Sequence, residues 1–474
     1  MSEENKNYNF NGENKESYTR LERLYGEESN NNAKREPKKI KLSTFVLATV
    51  ALVLAAVMIT FTVCFGVYRA KLADAANGKG GSVVDLSDLG TLDSVFNAYS
   101  YYGVDEEEMG ELLLKSYVAA SGDKYAEYFT EEEYLDYMES MRGNSVGVGI
   151  NIIYTTAEIS GTEYKVLKVI NVTRESPAMR AGVKVGDLLF YVGVDEQTRQ
   201  SVHALGYEET MAELLGEEGT TAEFTVLRKN ADGYDEVKFS IVREKIKSES
   251  VQYHVCQTDA DVGIVKILQF DYTTPSQFCN AVDTLKASGI NNFVFDVRYN
   301  GGGSLDSIVA VLSYFLDEGD TIISTVDNKG KSVVTKAEVV SGFSGDEASC
   351  NVSRKDIGKY KDLRAVVLCN SYTASAAELF TATFRDYEIA KTVGETTFGK
   401  GSMQSTLPLS YFGVDGVLKL TTNMYFPPCG ESYDGIGIVP DVPVELDEAL
   451  NNKNIYEITD AEDNQLQTAI EVLK

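Results

Sequence analysis

Ala365-Val-Val-Leu-Cys369, Asn370-Ser-Tyr-Thr-Ala-Ser375 and Ala376-Ala-Glu-Leu-Phe-Thr-Ala-Thr383 follow one another in the stretch that decides the fold. Five apolar residues in a row predict a strand buried on both faces, as in a parallel sheet. Ala376, Leu379, Phe380 and Thr383 recur at helical spacing, so a helix follows and Ser375 stands at the turn between the two. Free N–H groups at the start of a helix, together with its dipole, favour negative charge there. A serine in that place is either a helix cap or a nucleophile, with the N–H of Ala376 as an oxyanion donor.

The same pattern occurs upstream. Phe293-Val-Phe-Asp-Val297 predicts a second buried strand, and Leu305, Ile308, Val309, Leu312 and Phe315 a helix after it. Between them, Asn300-Gly301-Gly302-Gly303 lacks side chains that would keep a backbone amide away from a substrate, although a purely structural turn has the same composition. Downstream, Gly394-Glu-Thr-Thr-Phe-Gly399-Lys400 matches the first seven positions of a phosphate-binding loop. Gly401 then replaces the hydroxyl residue that would hold Mg²⁺, and Ser402, Gln404 and Thr406 read as extended chain, so nucleotide binding is set aside. The chain has two histidines, His203 and His254, neither beside a second catalytic signature, which leaves Lys400 as the candidate base. An amine that ordinarily titrates near 10.4 must be kept neutral by desolvation, at about 1.4 kcal/mol per pKa unit. Phe398, Gly399 and Gly401 are expected to let apolar surface close around it.

Ser375 and Lys400 are 25 residues apart, and Gln404 stands four residues past the lysine. With Asp296-Val-Arg298-Tyr-Asn300-Gly-Gly302-Gly303, Leu418-Lys-Leu-Thr-Thr-Asn-Met-Tyr425 and Gly435-Ile-Gly-Ile-Val-Pro-Asp441, these segments resemble the carboxyl-terminal processing (tail-specific) serine peptidases, in order over roughly residues 90–445. The resemblance implies an α/β ClpP/crotonase-like peptidase domain. It implies Ser375 as nucleophile, Lys400 as general base and Gln404 orienting the lysine without adding charge. It further implies oxyanion donors from Ala376 and from Gly302 or Gly303, with Asp296, Arg298 and Glu378 as framework. Gly122-Asp123-Lys124-Tyr125-Ala126-Glu127-Tyr128 sits where that family has Asp-Pro-Tyr-Ser-x-Tyr, and departs from it at Lys124 and Ala126.

Arg142-Gly-Asn-Ser-Val-Gly147-Val148-Gly149-Ile150 and Ser176-Pro-Ala-Met-Arg-Ala-Gly-Val-Lys-Val-Gly-Asp187 resemble a PDZ domain of the peptidase-associated type. Gly147, Val148, Gly149 and Ile150 correspond to its carboxylate-binding loop. A glycine-rich loop running into a strand offers N–H groups to a terminal carboxylate and an edge to the peptide. Met211, Leu214 and Leu215 suit the helix lining such a groove, or a plain core; Tyr207 is a weaker candidate.

Residues 42–68 carry no charged side chain, more than the roughly 20 apolar residues needed to span a membrane. Lys34, Arg35, Lys38, Lys39 and Lys41 precede them, against Arg69 and Lys71 after, which keeps the N-terminus cytoplasmic and the catalytic part outside the cytoplasm. The rival is a cleaved signal peptide with Ala73-Asp-Ala75 as its site. The expected organisation is α+β and multidomain: a disordered cytoplasmic tail (1–41), a transmembrane anchor (42–68), a linker (69–83), a helical region (84–142), a β-rich PDZ domain (143–246) and a serine peptidase domain (247–474). A net charge of −28 argues against a nucleic-acid partner. The expected partners are protein or peptide substrates with free C-termini and, through the N-terminal helix, the membrane; homo-oligomerisation stays open. No cofactor and no metal are expected, and the six cysteines show no metal-ligand spacing. Two other classes are weighed: an inert PDZ-based binding or scaffold protein, against which the complete Ser, Lys and Gln positions speak, and a crotonase-like acyl-transfer enzyme, which would not explain the PDZ-like segment.

Overall fold

The computed structural model describes residues 87–102 and 106–474, apart from 160, 232, 451, 452, 454 and 456. The expected tail, anchor and most of the linker lie outside the described residues, and among the described residues no helix is long and apolar enough to cross a membrane. The chain divides into two compact units at residue 104, and of the first only residues 87–102, chiefly the helix Ser87–Tyr99, are described.

The second unit is built on a six-stranded sheet in the order Val251–Val255, Val262–Ile267, Asn292–Asp296, Arg364–Cys369, Ala390–Gly394 and Val442–Pro443. Only the first pair is antiparallel. The apolar runs are there because both faces are covered. Phe293, Phe295, Ala365, Val367 and Cys369 point into the larger core, with the helices Thr274–Ala287, Leu305–Ser313 and Ala376–Asp386. Val294, Val366 and Leu368 alternate to the other face, where Leu466, Ala469, Ile470 and Leu473 of the helix Asn464–Leu473 cover them. Arg298 ties that helix down: its buried guanidinium bonds Asp296 (2.8 Å) and Asp463 (2.7 Å), and Gln465 (3.0 Å).

A second, antiparallel sheet joins Ser402–Pro408, Val417–Phe426, Thr321–Asp327 and Ser332–Lys336. The region expected to be helical up to residue 142 is interrupted here. Between the helices Glu106–Ala119 and Glu131–Met141, Glu127–Phe129 becomes a strand and pairs with Val417–Phe426, burying Tyr128 and Phe129.

Residues 144–247 form a β-rich module around its own core of Leu167, Leu189, Phe224, Val226 and Ile241. Its sheet runs Ile150–Ile159, Thr162–Val172, Leu188–Val192, Thr221–Asn230, Gly233–Val242, which leaves Ile150–Ile159 as an edge strand.

Candidate active site

Three loops leave the C-terminal ends of the neighbouring strands Asn292–Asp296, Arg364–Cys369 and Ala390–Gly394 and meet at one cavity of about 690 Å³, the usual place for a site in an open α/β sheet. Ser375, Ala376, Gly303, Lys400 and Gln404 all line it, with Leu305, Ile308, Ile323, Leu379 and Met403 as an apolar wall. Neither histidine lines it: His203 accepts from the N–H of Lys165, and His254 pairs with Asp460.

Ser375 stands at the expected strand-to-helix turn, with φ of 58° and ψ of −119°. A non-glycine residue there costs of order 1–3 kcal/mol and persists only where its surroundings enforce it. Two features do. A Cβ on Gly302 (φ +104°) would fall 2.7 Å from the Ser375 Cβ, so only glycine permits this approach. And Glu378, fully buried one turn into the helix, accepts from the N–H of Ser375 at 2.8 Å.

The same carboxylate accepts from the Thr397 hydroxyl (2.6 Å) and from the N–H of Gly399 (2.6 Å) and Lys400 (2.8 Å). One side chain thus binds the serine loop to the lysine loop. Burial pushes its pKa up, and these four donors pull against that. Gly394 ends a strand and Lys400 precedes another, which excludes the helix a phosphate-binding loop would open.

Lys400 is held below the ordinary lysine range chiefly by desolvation and next by the neighbouring charge of Lys419. Its apolar cover is not the expected one. Phe398 is 53% exposed and takes no part in the cavity; the ammonium instead lies 4.4 Å from the ring centroid of Tyr125. Chain direction explains the difference: Gly399 (φ +88°) turns the main chain between residues 398 and 400. The Tyr425 hydroxyl fixes the lysine backbone further, donating to the Lys400 carbonyl at 2.5 Å and accepting from Tyr433. Gln404 shares the cavity, but its amide donates to Ser402 (3.2 Å) and Thr421 (3.1 Å), and no hydrogen bond joins it to Lys400 among the described residues. A register shift between Met403 and Gln404 sets Gln404 opposite Thr421.

The glycine pair is resolved by its hydrogen bonds. The Gly302 N–H donates to the Asn300 side chain at 2.9 Å and is already engaged. Phe270 bonds on either side of Gly303, to the Gly302 carbonyl and the Ser304 N–H. No hydrogen bond to the N–H of Gly303 is formed among the described residues, and Ala376, as the first helical residue, has no intrahelical acceptor. Gly303 rather than Gly302 is the donor of the pair that geometry leaves to a ligand.

Residues 261–444, which hold Ser375, Lys400, Gln404, Glu378 and the glycine turn but not Tyr125, match the model of peptidase family S41. Over that stretch the chain is similar to this family. Its relatives include a probable CtpA-like serine protease of Staphylococcus aureus (strain COL), 29% identical over 388 residues, covering 80% of this chain and 70% of the relative. Another of that description, from Staphylococcus epidermidis, is 27% identical over 410 residues, covering 86% and 74%. Among solved structures, the photosystem II D1 C-terminal processing protease aligns at 22% identity with a TM-score of 0.42, over 78% of this chain and 93% of that one. The chain is a serine peptidase of mixed α/β, multidomain fold.

A second concavity of about 520 Å³ lies at the edge of the β-rich module. Gly147, Val148, Gly149 and Ile150 line it, as do Met211, Leu214 and Leu215, whereas Tyr207 packs on Tyr154 outside it. Gly149 (φ +87°) has no room for a Cβ, which would meet Ser176 at 2.2 Å.

Proposed function

We propose that this S41 peptidase is a serine endopeptidase with a Ser375–Lys400 dyad that cleaves proteins presented by their C-termini. The single observation that carries the chemistry is the Glu378 carboxylate, which draws the backbones of Ser375 and Lys400 to one point at the mouth of one cavity. Neutral Lys400 takes the Ser375 proton during attack and returns it to the leaving amine. The oxyanion is received by the N–H groups of Gly303 and Ala376. Gln404 acts on Lys400 at one remove, through Thr421 and the Asp123 turn that carries the Tyr125 ring.

The β-rich module acts as a PDZ domain. Its edge strand Ile150–Ile159 is open to β-augmentation, the loop 147–150 meets the terminal carboxylate, and Met211, Leu214 and Leu215 receive apolar side chains. The apolar run 42–68, with basic residues before it, anchors the chain in a membrane with the catalytic part outside the cytoplasm. Incubating the full-length chain with an unfolded protein tests the chemistry: wild type is expected to cleave and Ser375→Ala to leave the substrate intact. Equal cleavage by Ser375→Ala would refute it. Protease added to intact protoplasts is expected to digest residues after 77 and spare an N-terminal tag; an untouched catalytic domain would refute the topology.

A further inference from the structure

The turn Gly122-Asp123-Lys124-Tyr125-Ala126 lies outside the region that matches the family model, yet Lys124, Tyr125 and Ala126 line the catalytic cavity. Asp123 latches the turn in place. Its carboxylate accepts from the Thr421 N–H (2.7 Å), the Thr421 hydroxyl (2.9 Å) and the Tyr125 N–H (3.1 Å). The same Thr421 hydroxyl accepts from Gln404. Held in this way, the Tyr125 ring faces the Lys400 ammonium at 4.4 Å. The Tyr125 hydroxyl oxygen is buried, and among the described residues it makes no hydrogen bond. The exposed Lys124 ammonium is a close polar neighbour, 4.8 Å from the ring centroid and near enough to the hydroxyl to raise the Lys124 pKa, without the geometry of a hydrogen bond. A buried polar atom without a partner costs about 1–3 kcal/mol, and calls for an explanation; a ligand that supplies the partner is one.

We propose that Tyr125 is a substrate-contacting residue: once the exposed Lys124 side chain swings off the Tyr125 ring, the tyrosine hydroxyl donates to a main-chain carbonyl of the peptide lying over Ser375, and the ring keeps water from the Lys400 amine. The proposal rests on the Ser375–Lys400 reading. A main-chain carbonyl is the fitting acceptor because every peptide substrate carries one, whatever its sequence. The ring acts on the amine in two opposed ways. Its face favours the ammonium by about 0.5–2 kcal/mol, whereas exclusion of water moves buried lysines down by up to about 3–5 pKa units. Shielding therefore wins.

The experiment compares full-length wild type, Tyr125→Phe, Tyr125→Ala and Lys400→Ala on one quenched-fluorescent peptide across pH, with thermal melts of each. Tyr125→Phe keeps the packing and is expected to raise KM roughly 3–10-fold, one neutral hydrogen bond, with kcat and the acid limb of the pH profile unchanged. Tyr125→Ala is expected to raise KM likewise and to move the acid limb toward higher pH as water reaches Lys400. Wild-type kinetics for Tyr125→Phe would overturn the substrate contact, and that variant remains decisive if Tyr125→Ala melts early. An acid limb unmoved or lowered in folded Tyr125→Ala would overturn the shielding. Near-normal cleavage by Lys400→Ala would instead refute the dyad, whatever Tyr125 does.

Discussion

The catalytic cavity and the groove of the β-rich module are both glycine-lined concavities, but they are held in different ways. In the cavity, donors from three loops converge on buried polar side chains: Glu378 accepts four hydrogen bonds, three of them from main-chain N–H groups, and Asn300 binds the Ile267 carbonyl and the Gly302 N–H. In the groove, the loop is shaped mainly by main-chain pairing: Val148 and Gly149 carbonyls accept from Ala178 and Thr173, with one long contact from the Ser176 hydroxyl at 3.4 Å. A site that performs chemistry needs its atoms fixed to fractions of an ångström. The groove, under the proposed reading of main chain and a terminal charge, needs only a strand edge and a glycine turn.

Substitutions in the two concavities should differ in effect accordingly. The largest effect is expected in the cavity itself: Ser375→Ala and Lys400→Ala should each lower kcat by roughly 10⁴-fold or more, with melting temperature little changed. Residual activity within tenfold of wild type in either would remove the dyad. Next comes Glu378→Gln. Ser375 and Lys400 N–H groups share one carboxylate oxygen, Thr397 and Gly399 the other, so an amide of either orientation turns an NH₂ toward two donors. Stability should fall by about 2–4 kcal/mol and kcat by roughly 10²-fold, read by denaturant melts and turnover. Wild-type values would mean that the carboxylate does not position the two loops.

The groove should respond more weakly. Gly149→Ala is expected to erase any preference for a free over an amidated C-terminus, a preference of roughly 3–10-fold in the wild type, while cleavage of the amidated peptide stays unchanged. A preference that survives the substitution would place tail recognition elsewhere. The smallest effect concerns pH and stability. Burial lowers the Lys400 pKa in the folded protein. Between that value and the ordinary lysine value the unfolded chain binds more protons, so this residue's contribution to stability rises with pH. Lys400→Met should therefore be inactive yet more stable at neutral pH by roughly 0.5–2 kcal/mol, with the advantage shrinking as pH climbs toward 10.5. A less stable Met variant would contradict the buried-amine account.

What could be read from the chain follows the same division. The strand, the turn and the helix around Ser375 were legible because their apolar spacing is local, and Lys400 because its loop has no helix after it. The framework role of Glu378 was legible only by resemblance; its four donors come together through the fold. Tyr125 was beyond reach as the cover of Lys400, since nothing local to Phe398-Gly399-Lys400 signals a ring arriving from the N-terminal region, and the alternation of apolar residues through 127–129 is too short to announce a strand. The orientation of Gln404 depends on one bulge in a strand pair, and the choice between Gly302 and Gly303 on one hydrogen bond from the Gly302 N–H to the Asn300 side chain.

The central claim, that Lys400 activates Ser375, is tested most directly by reacting the full-length chain with a fluorophosphonate and locating the adduct by mass spectrometry. Wild type is expected to be modified at Ser375, faster as pH rises through the lowered lysine pKa, and Lys400→Ala to remain unmodified over the same time. Equal labelling of Ser375 in both proteins, or an adduct at another serine, would contradict it.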